Sequence, residues 1–132
     1  MSEPIHVLKA FEGLKFLANR TPTTGEAAAK DSFKRLCDYR NGGVFIATFA
    51  GRSEWERHPH GDELVMVMEG EAVIALLEGE QEVLHTLRLG ELIVVPQNAW
   101  HRFETQGVKL LTLTPQPTDH SSAAIPSAMP TN

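Results

Sequence analysis

The chain has a single cysteine, Cys37. That excludes an intrachain disulfide and any zinc motif built on several thiolates. Cys37 is expected to be a small buried or half-buried side chain. There is no excess of positive charge either: 12 Lys and Arg stand against 17 Asp and Glu, for a formal net charge of −5. Such a chain offers no electrostatic footing for nucleic acid or for an anionic membrane as partner. No apolar run approaches the roughly 20 residues of a membrane helix. Met1-Ser2-Glu3-Pro4 lacks the charged and then apolar pattern of a secretion signal. The expectation is a soluble, cytoplasmic protein. Also missing are a phosphate loop, a nucleophilic triad, a basic stripe with interleaved aromatics and any internal repeat.

What is present reads as β structure in one domain, long enough at 132 residues to bury a core. The early part is weakly patterned. Val7 to Leu14 suits a short helix or an irregular arm, Asn19 to Gly25 is dense in turn formers, Ala27 to Lys30 suits a helical turn, and Ser32 to Tyr39 suits a strand. From Val44 onward, β-branched and aromatic segments recur: Val44–Phe49, Leu64–Met68, Ala72–Leu77, Glu82–Leu87, Leu92–Val95, Trp100–Thr105 and Val108–Thr114. Turn signals separate them at Gly51, Gly61-Asp62, Glu69-Gly70, Gly79, Gly90, Pro96-Gln97-Asn98 and Gln106-Gly107. Short strands at this spacing predict an antiparallel sandwich or barrel. Leu64–Met68 and Ala72–Leu77 have no polar side, so one face fills a core and the other needs a second sheet or a partner chain. A homodimer is expected. Residues 115–132 hold four prolines with little to bury and predict a mobile tail.

Two stretches concentrate the ligating side chains: Glu56-Arg57-His58-Pro59-His60-Gly61-Asp62-Glu63 and Pro96-Gln97-Asn98-Ala99-Trp100-His101. Successive residues of a strand point to opposite faces, so Glu56 and His58 share one face while Trp55 and Arg57 take the other. Glu63 opens the next strand and can face the same side, and His101 lies on a later one. Two carboxylates and two imidazoles at one barrel end suit Zn, Mn, Fe, Ni or Cu. His60 is a competing second histidine in a shifted register. Trp55 and Trp100 are expected on the outer face, Met66 and Met68 as fillers, His85 at the surface or packed, and His6 and His120 in solvated arms. Val65, Val67, Ile74 or Leu76, and Phe103 are expected to line an apolar cavity around the polar ligands.

At these residues the chain resembles the cupin family, whose two motifs flank a small β-barrel of the jelly-roll class. The first motif runs Gly, His, His, Glu, Gly. Gly51, Glu56, His58, Glu63 and Gly70 occupy those places, with Glu in the first His position. The second runs Gly, Pro, Gly, His, Asn, and here Gly90, Pro96, Asn98, His101 and Thr105 stand there. The Glu63-to-Gly70 spacing favours His58 over His60. The resemblance implies an all-β, cupin-type jelly-roll barrel over 43–114, packed against an arm over 1–42 that carries an early strand and has room for a short helix, and followed by the tail 115–132. It implies a divalent transition metal (Zn, Fe, Mn or Ni) at Glu56, His58, Glu63 and His101, and a small organic molecule as ligand. The metal-dependent isomerase, lyase and dioxygenase reactions of the family all remain open, as do a non-catalytic binding or sensing module and a metal-free structural barrel. Glu56 is either a ligand and candidate base or a solvated rim residue.

Overall fold

The computed structural model describes residues 2–126, so the last part of the expected tail, 127–132, lies outside the described residues. The arm begins with α1 (Val7–Phe11), a short helix capped by His6, whose Nδ1 accepts from the Lys9 N–H at 3.2 Å. β1 (Leu17–Arg20), α2 (Glu26–Ala29) and a 3-10 turn over Lys30–Ser32 follow. Arg20, expected in a loop, is therefore the end of a strand. β2 (Phe33–Tyr39) and β3 (Gly42–Arg52) form a hairpin, and β4 (Trp55–Arg57) is a short strand leading into the first ligand stretch. The rest is β5 (Glu63–Glu78), β6 (Gln81–Arg88), β7 (Leu92–Val95), β8 (His101–Pro115) and β9 (Asp119–Ser121). Mostly strand with little helix, this is the all-β barrel anticipated.

Two expected turns are not turns. Glu69-Gly70 and Gln106-Gly107 lie inside β5 and β8, each one continuous strand where two were expected. The two irregularities face each other in the antiparallel ladder, with Gly70 opposite Val108 and Glu71 opposite Gly107. Gly70 has φ 77°, and a Cβ there would run into the Gly107 carbonyl oxygen, so only glycine serves. The paired bulges shift the register of both strands while β5 and β8 stay paired on either side. On one side of its bulge β5 pairs with β7 through Glu63–Met66; on the other it pairs with β6 through Glu71–Glu78. The extra residue also reverses parity: Val65 and Val67 face inward before the bulge, Ala72 and Ile74 after it.

The interior is one apolar cluster including Phe49, Val65, Val67, Ile74, Val95, Phe103 and Leu110. Burial of each such side chain contributes about 1.5–3 kcal/mol. A second, smaller cluster of Trp55, Ala75, Leu77 and Trp100 lies on the other face of the strands, where the two tryptophans were expected. It is covered by the segment expected to be a mobile tail. β9 pairs with β4, and Trp55 Nε1 donates to the Ala124 carbonyl oxygen at 3.1 Å. Pro and Thr do not prevent this, because β9 adds to a sheet edge with only three residues. Cys37, expected to be buried or half-buried, is exposed: β2 is covered on one side only. The outer face of β5, β7 and β8 brings Leu64, Met66, Leu92, Val94, Leu111 and Leu113 side by side, with Leu92 and Val94 each 52% exposed. No helix among the described residues is long and apolar enough to cross a membrane.

Candidate functional site

The two ligand stretches are bound to each other by their turns. Asn98 N–H donates to the His58 carbonyl oxygen at 3.1 Å. Gln97 donates from its backbone to Asp62 Oδ1 at 2.8 Å and from Nε2 to the Pro59 carbonyl oxygen at 2.7 Å. Asn98 adopts φ 67°, a left-handed conformation that Asn tolerates, so it fills the place of the motif's inner glycine without changing the turn. Thr105, at the motif's last position, donates to the Glu71 carbonyl oxygen at 2.6 Å and steadies the bulge.

Glu56 on β4 lies opposite His101 on β8, and both point inward while Trp55, Arg57, Trp100 and Arg102 point out. Ligand atoms of Glu56, His58 and His101 lie within 4.8 Å of one another. Glu63 joins them from the first residue of β5: its Oε1 is 3.0 Å from His101 Nε2 and 3.3 Å from His58 Nε2. Its Oε2 accepts from Thr114 Oγ1 at 2.6 Å. The outer nitrogens of both rings are held as well. His101 Nδ1 is 3.0 Å from the Ala99 carbonyl oxygen, which fixes Nε2 as the inward nitrogen, and His58 Nδ1 is 3.0 Å from Thr118 Oγ1. His60 is exposed and outside the cluster.

His58 Nε2, Glu63 Oε1 and His101 Nε2 are fully buried, and among the described residues none has a partner in hydrogen-bond geometry despite the short separations. Glu63 Oε1 lies close to both ring nitrogens, but neither contact is aligned as a hydrogen bond. Burial pushes the Glu63 carboxyl up, but close contact with His101 and His58 and their charge outweigh it and hold it down at about 2. For His101, burial lowers the imidazole pKa and the Glu63 carboxylate more than reverses this, so it lies above its ordinary value. A donor set of two imidazoles and one or two carboxylates, converging without mutual hydrogen bonds, fits a divalent transition metal.

Beside the cluster is a cavity of about 300 Å³, lined in part by Phe33, Phe45, Phe49, Phe103, Glu56 and Glu63. A larger open groove of about 820 Å³ surrounds the bulges at Gly51 and Gly70, but its Arg52 and Glu104 pair with each other at 3.5 Å, and among the described residues no ligating cluster adjoins it. Phe103 lines the smaller cavity, its ring edge-on to that of His101. Val65 and Val67 do not: both face inward, but each is 0% exposed within the packed cluster. Ile74 is likewise packed in the core.

The sequence reading missed Arg20, Glu26, Thr118 and His120, all of which reach this cavity. Arg20 sits in a four-residue strand amid turn formers, and the other three lie in segments without periodicity, so no local pattern flags them. His120, expected in a solvated arm, is on β9 with Nδ1 2.8 Å from Glu54 Oε1.

Comparison with known proteins gives the same frame. A "Cupin domain" family model matches residues 45–114. Among curated proteins, an uncharacterized Bacillus subtilis protein, YdbB, is 36% identical over 59 residues, 45% of this chain and 50% of that one; the chain thus spans about half the length of this relative. A cupin-2 domain containing protein from Shewanella frigidimarina superimposes with TM-score 0.54 at 26% identity, over 64% of this chain and 80% of that one. Hydroquinone 1,2-dioxygenase from Sphingomonas sp. TTNP3, crystallised with 4-hydroxybenzoate bound, superimposes with TM-score 0.54 at 19% identity, over 69% of this chain and 67% of that one, and shares the fold. With its two motifs, its barrel and a family match over the strands that carry both, the chain belongs to the cupin family.

Proposed function

We propose that this protein is a metal-dependent cupin that holds a small organic molecule in the cavity beside Glu56, His58, Glu63 and His101. The observation that carries the reading is the close approach of three buried ligand atoms, none of them in hydrogen-bond geometry. A cation bound there would give all three atoms a partner in good geometry. When bound, a divalent metal supplies Lewis acidity to a ligand oxygen. His58 and His101 would hold it through Nε2, Glu63 through Oε1, with Glu56 as fourth ligand. Because Glu56 is half-buried and borders the cavity, it is also the group placed to accept a proton from the bound molecule. The aromatic walls exclude water and favour a planar or apolar ligand body, and the cavity volume restricts it to a small molecule. Isomerase, lyase and dioxygenase chemistry are the reaction classes we assign to it. The structural neighbour from Sphingomonas holds a molecule of this size class.

Elemental analysis of protein purified without chelator tests the reading. About one equivalent of a transition metal is expected in the wild type, and a loss to below about one tenth in His58→Ala and His101→Ala. A wild-type protein that carries less than about one tenth of an equivalent, and takes up none of Zn, Fe, Mn or Ni on dialysis, would overturn it.

A further inference from the structure

Arg20 is the one lysine or arginine lining the cavity among the described residues. It arrives there because β1 runs parallel to β3 with Arg20 opposite Gly51. Gly51 has φ 114°, and a Cβ at that position would run into the Arg20 carbonyl oxygen, so the glycine permits the close approach. The guanidinium is then held against two phenylalanine rings, its Cζ 4.9 Å from the Phe33 centroid and 4.5 Å from that of Phe49. Those rings are near-parallel, 13° apart in orientation with centroids at 6.0 Å. The side chain is only 13% exposed. Its one carboxylate within 4.0 Å among the described residues is Glu56, at 3.7 Å, beyond hydrogen-bond distance.

Burying a guanidinium is expensive unless its N–H groups are satisfied. An ion pair at this separation recovers little of that cost, and an apolar residue would serve the fold as well or better. Cation–π contact with the two rings engages the guanidinium without using its N–H groups, and the side chain forms part of the cavity wall. The donor fork of a guanidinium matches a carboxylate in two parallel charge-assisted hydrogen bonds.

We propose that Arg20 anchors the carboxylate of the cavity's ligand, so that the substrate class is a small organic acid. This deepens the reading above and rests on it for the ligand's presence at the cluster. The charges permit it. A divalent ion would offset Glu56 and Glu63, Glu26 is exposed on α2, and His120 is turned to Glu54. Arg20 would then be the positive side chain left to meet an incoming anion. Glu56, its carboxylate neighbour at 3.7 Å, is not within hydrogen-bond distance and leaves the guanidinium N–H groups available.

The test compares carboxylates with their neutral amides, benzoate with benzamide and propionate with propionamide, by titration calorimetry on Zn-loaded full-length protein. Wild type is expected to bind at least one carboxylate about tenfold more tightly than its amide, the ratio that charge-assisted hydrogen bonds support. Arg20→Gln is expected to bring that ratio within about twofold, and Arg20→Lys, which keeps charge but loses the fork, to fall between. Thermal melts and zinc content of the same samples establish that the variants are folded and loaded. Equal binding of acid and amide by wild type, or an undiminished ratio in Arg20→Gln, overturns the proposal. If wild type takes up no metal, the metal reading fails separately. The comparison is then made in metal-free Glu56→Gln, where Arg20 has lost its carboxylate neighbour. A preference for the acid that disappears on adding Arg20→Gln upholds the anchor, and none at all refutes it.

Discussion

Glu63 is the most informative single substitution. Its carboxylate is 5% exposed, between His58 and His101 on one oxygen and Thr114 on the other. A carboxyl that titrates at 4.5 in the unfolded chain and at about 2 when folded is held ionised by the difference. At 1.36 kcal/mol per pKa unit, this is worth about 3 kcal/mol of folding stability in the metal-free protein. Glu63→Gln keeps the shape and the acceptor for Thr114 but removes the charge. It should therefore cost about 3 kcal/mol near pH 6, or about 10 °C in melting temperature for a chain of this size. The pH dependence follows from the direction of each shift. The Glu63 pKa is lowered on folding, so its contribution is complete above 4.5 and is lost as pH falls through about 2. The His101 pKa is raised by the same contact, so its contribution is complete below 6.5 and is lost as pH rises through the folded value. Both report one interaction and are not summed. Calorimetric melts in chelator from about pH 2 to pH 8 should show the wild-type advantage greatest near pH 5–6 and closing toward pH 2. Melting temperatures within about 2 °C of each other at pH 6, or a gap that persists at pH 2, would refute the electrostatic account of this cluster.

Gly51→Ala combines an unfavourable φ with a collision against the Arg20 backbone, and a loss of about 2 kcal/mol or more is expected in denaturant titrations. Truncation after Pro117 removes the partners of His58, Arg57 and Trp55. It should cost about 3 kcal/mol and shift tryptophan fluorescence to the red as Trp55 meets water; an unshifted spectrum would mean that the segment does not cover the tryptophans in solution. If a second copy of the chain covers the apolar outer face of β5, β7 and β8, light scattering should give twice the chain mass. Leu92→Lys with Val94→Lys should give the single mass; a wild type already monomeric at micromolar concentration would reject the pairing.

Which residues share the cluster was legible because it depends on short-range geometry. Alternation puts Glu56 inward against Trp55 and Arg57, and the turn residues at Pro59 and Pro96 place Glu63 and His101 at strand starts. What was not legible depends on pairing between distant segments. Gly70 reads as a turn because a glycine between two apolar runs looks the same whether the chain reverses or bulges. Only the pairing of β5 with β8, with Gly70 opposite Val108 and Glu71 opposite Gly107, separates the two. Val65 and Val67 show the limit of parity. It assigns them to the interior correctly, but whether an inward residue is packed or lines a cavity is decided by what stands opposite. Arg20 had no local signal at all, since β1 is a short parallel strand whose place is dictated by a glycine in β3.

Glu56 and Arg20 account for each other. A carboxylate in the first histidine position of the motif adds a negative charge to a site that already holds Glu63, and like charges so placed oppose one another. The guanidinium 3.7 Å from Glu56 offsets that charge from the cavity side. Glu56, taken alone, departs from the motif's histidine; taken with Arg20, it forms an ion pair between the His/Glu cluster and the aromatic cavity. The departure from the motif and the strand that the sequence concealed are two parts of one arrangement.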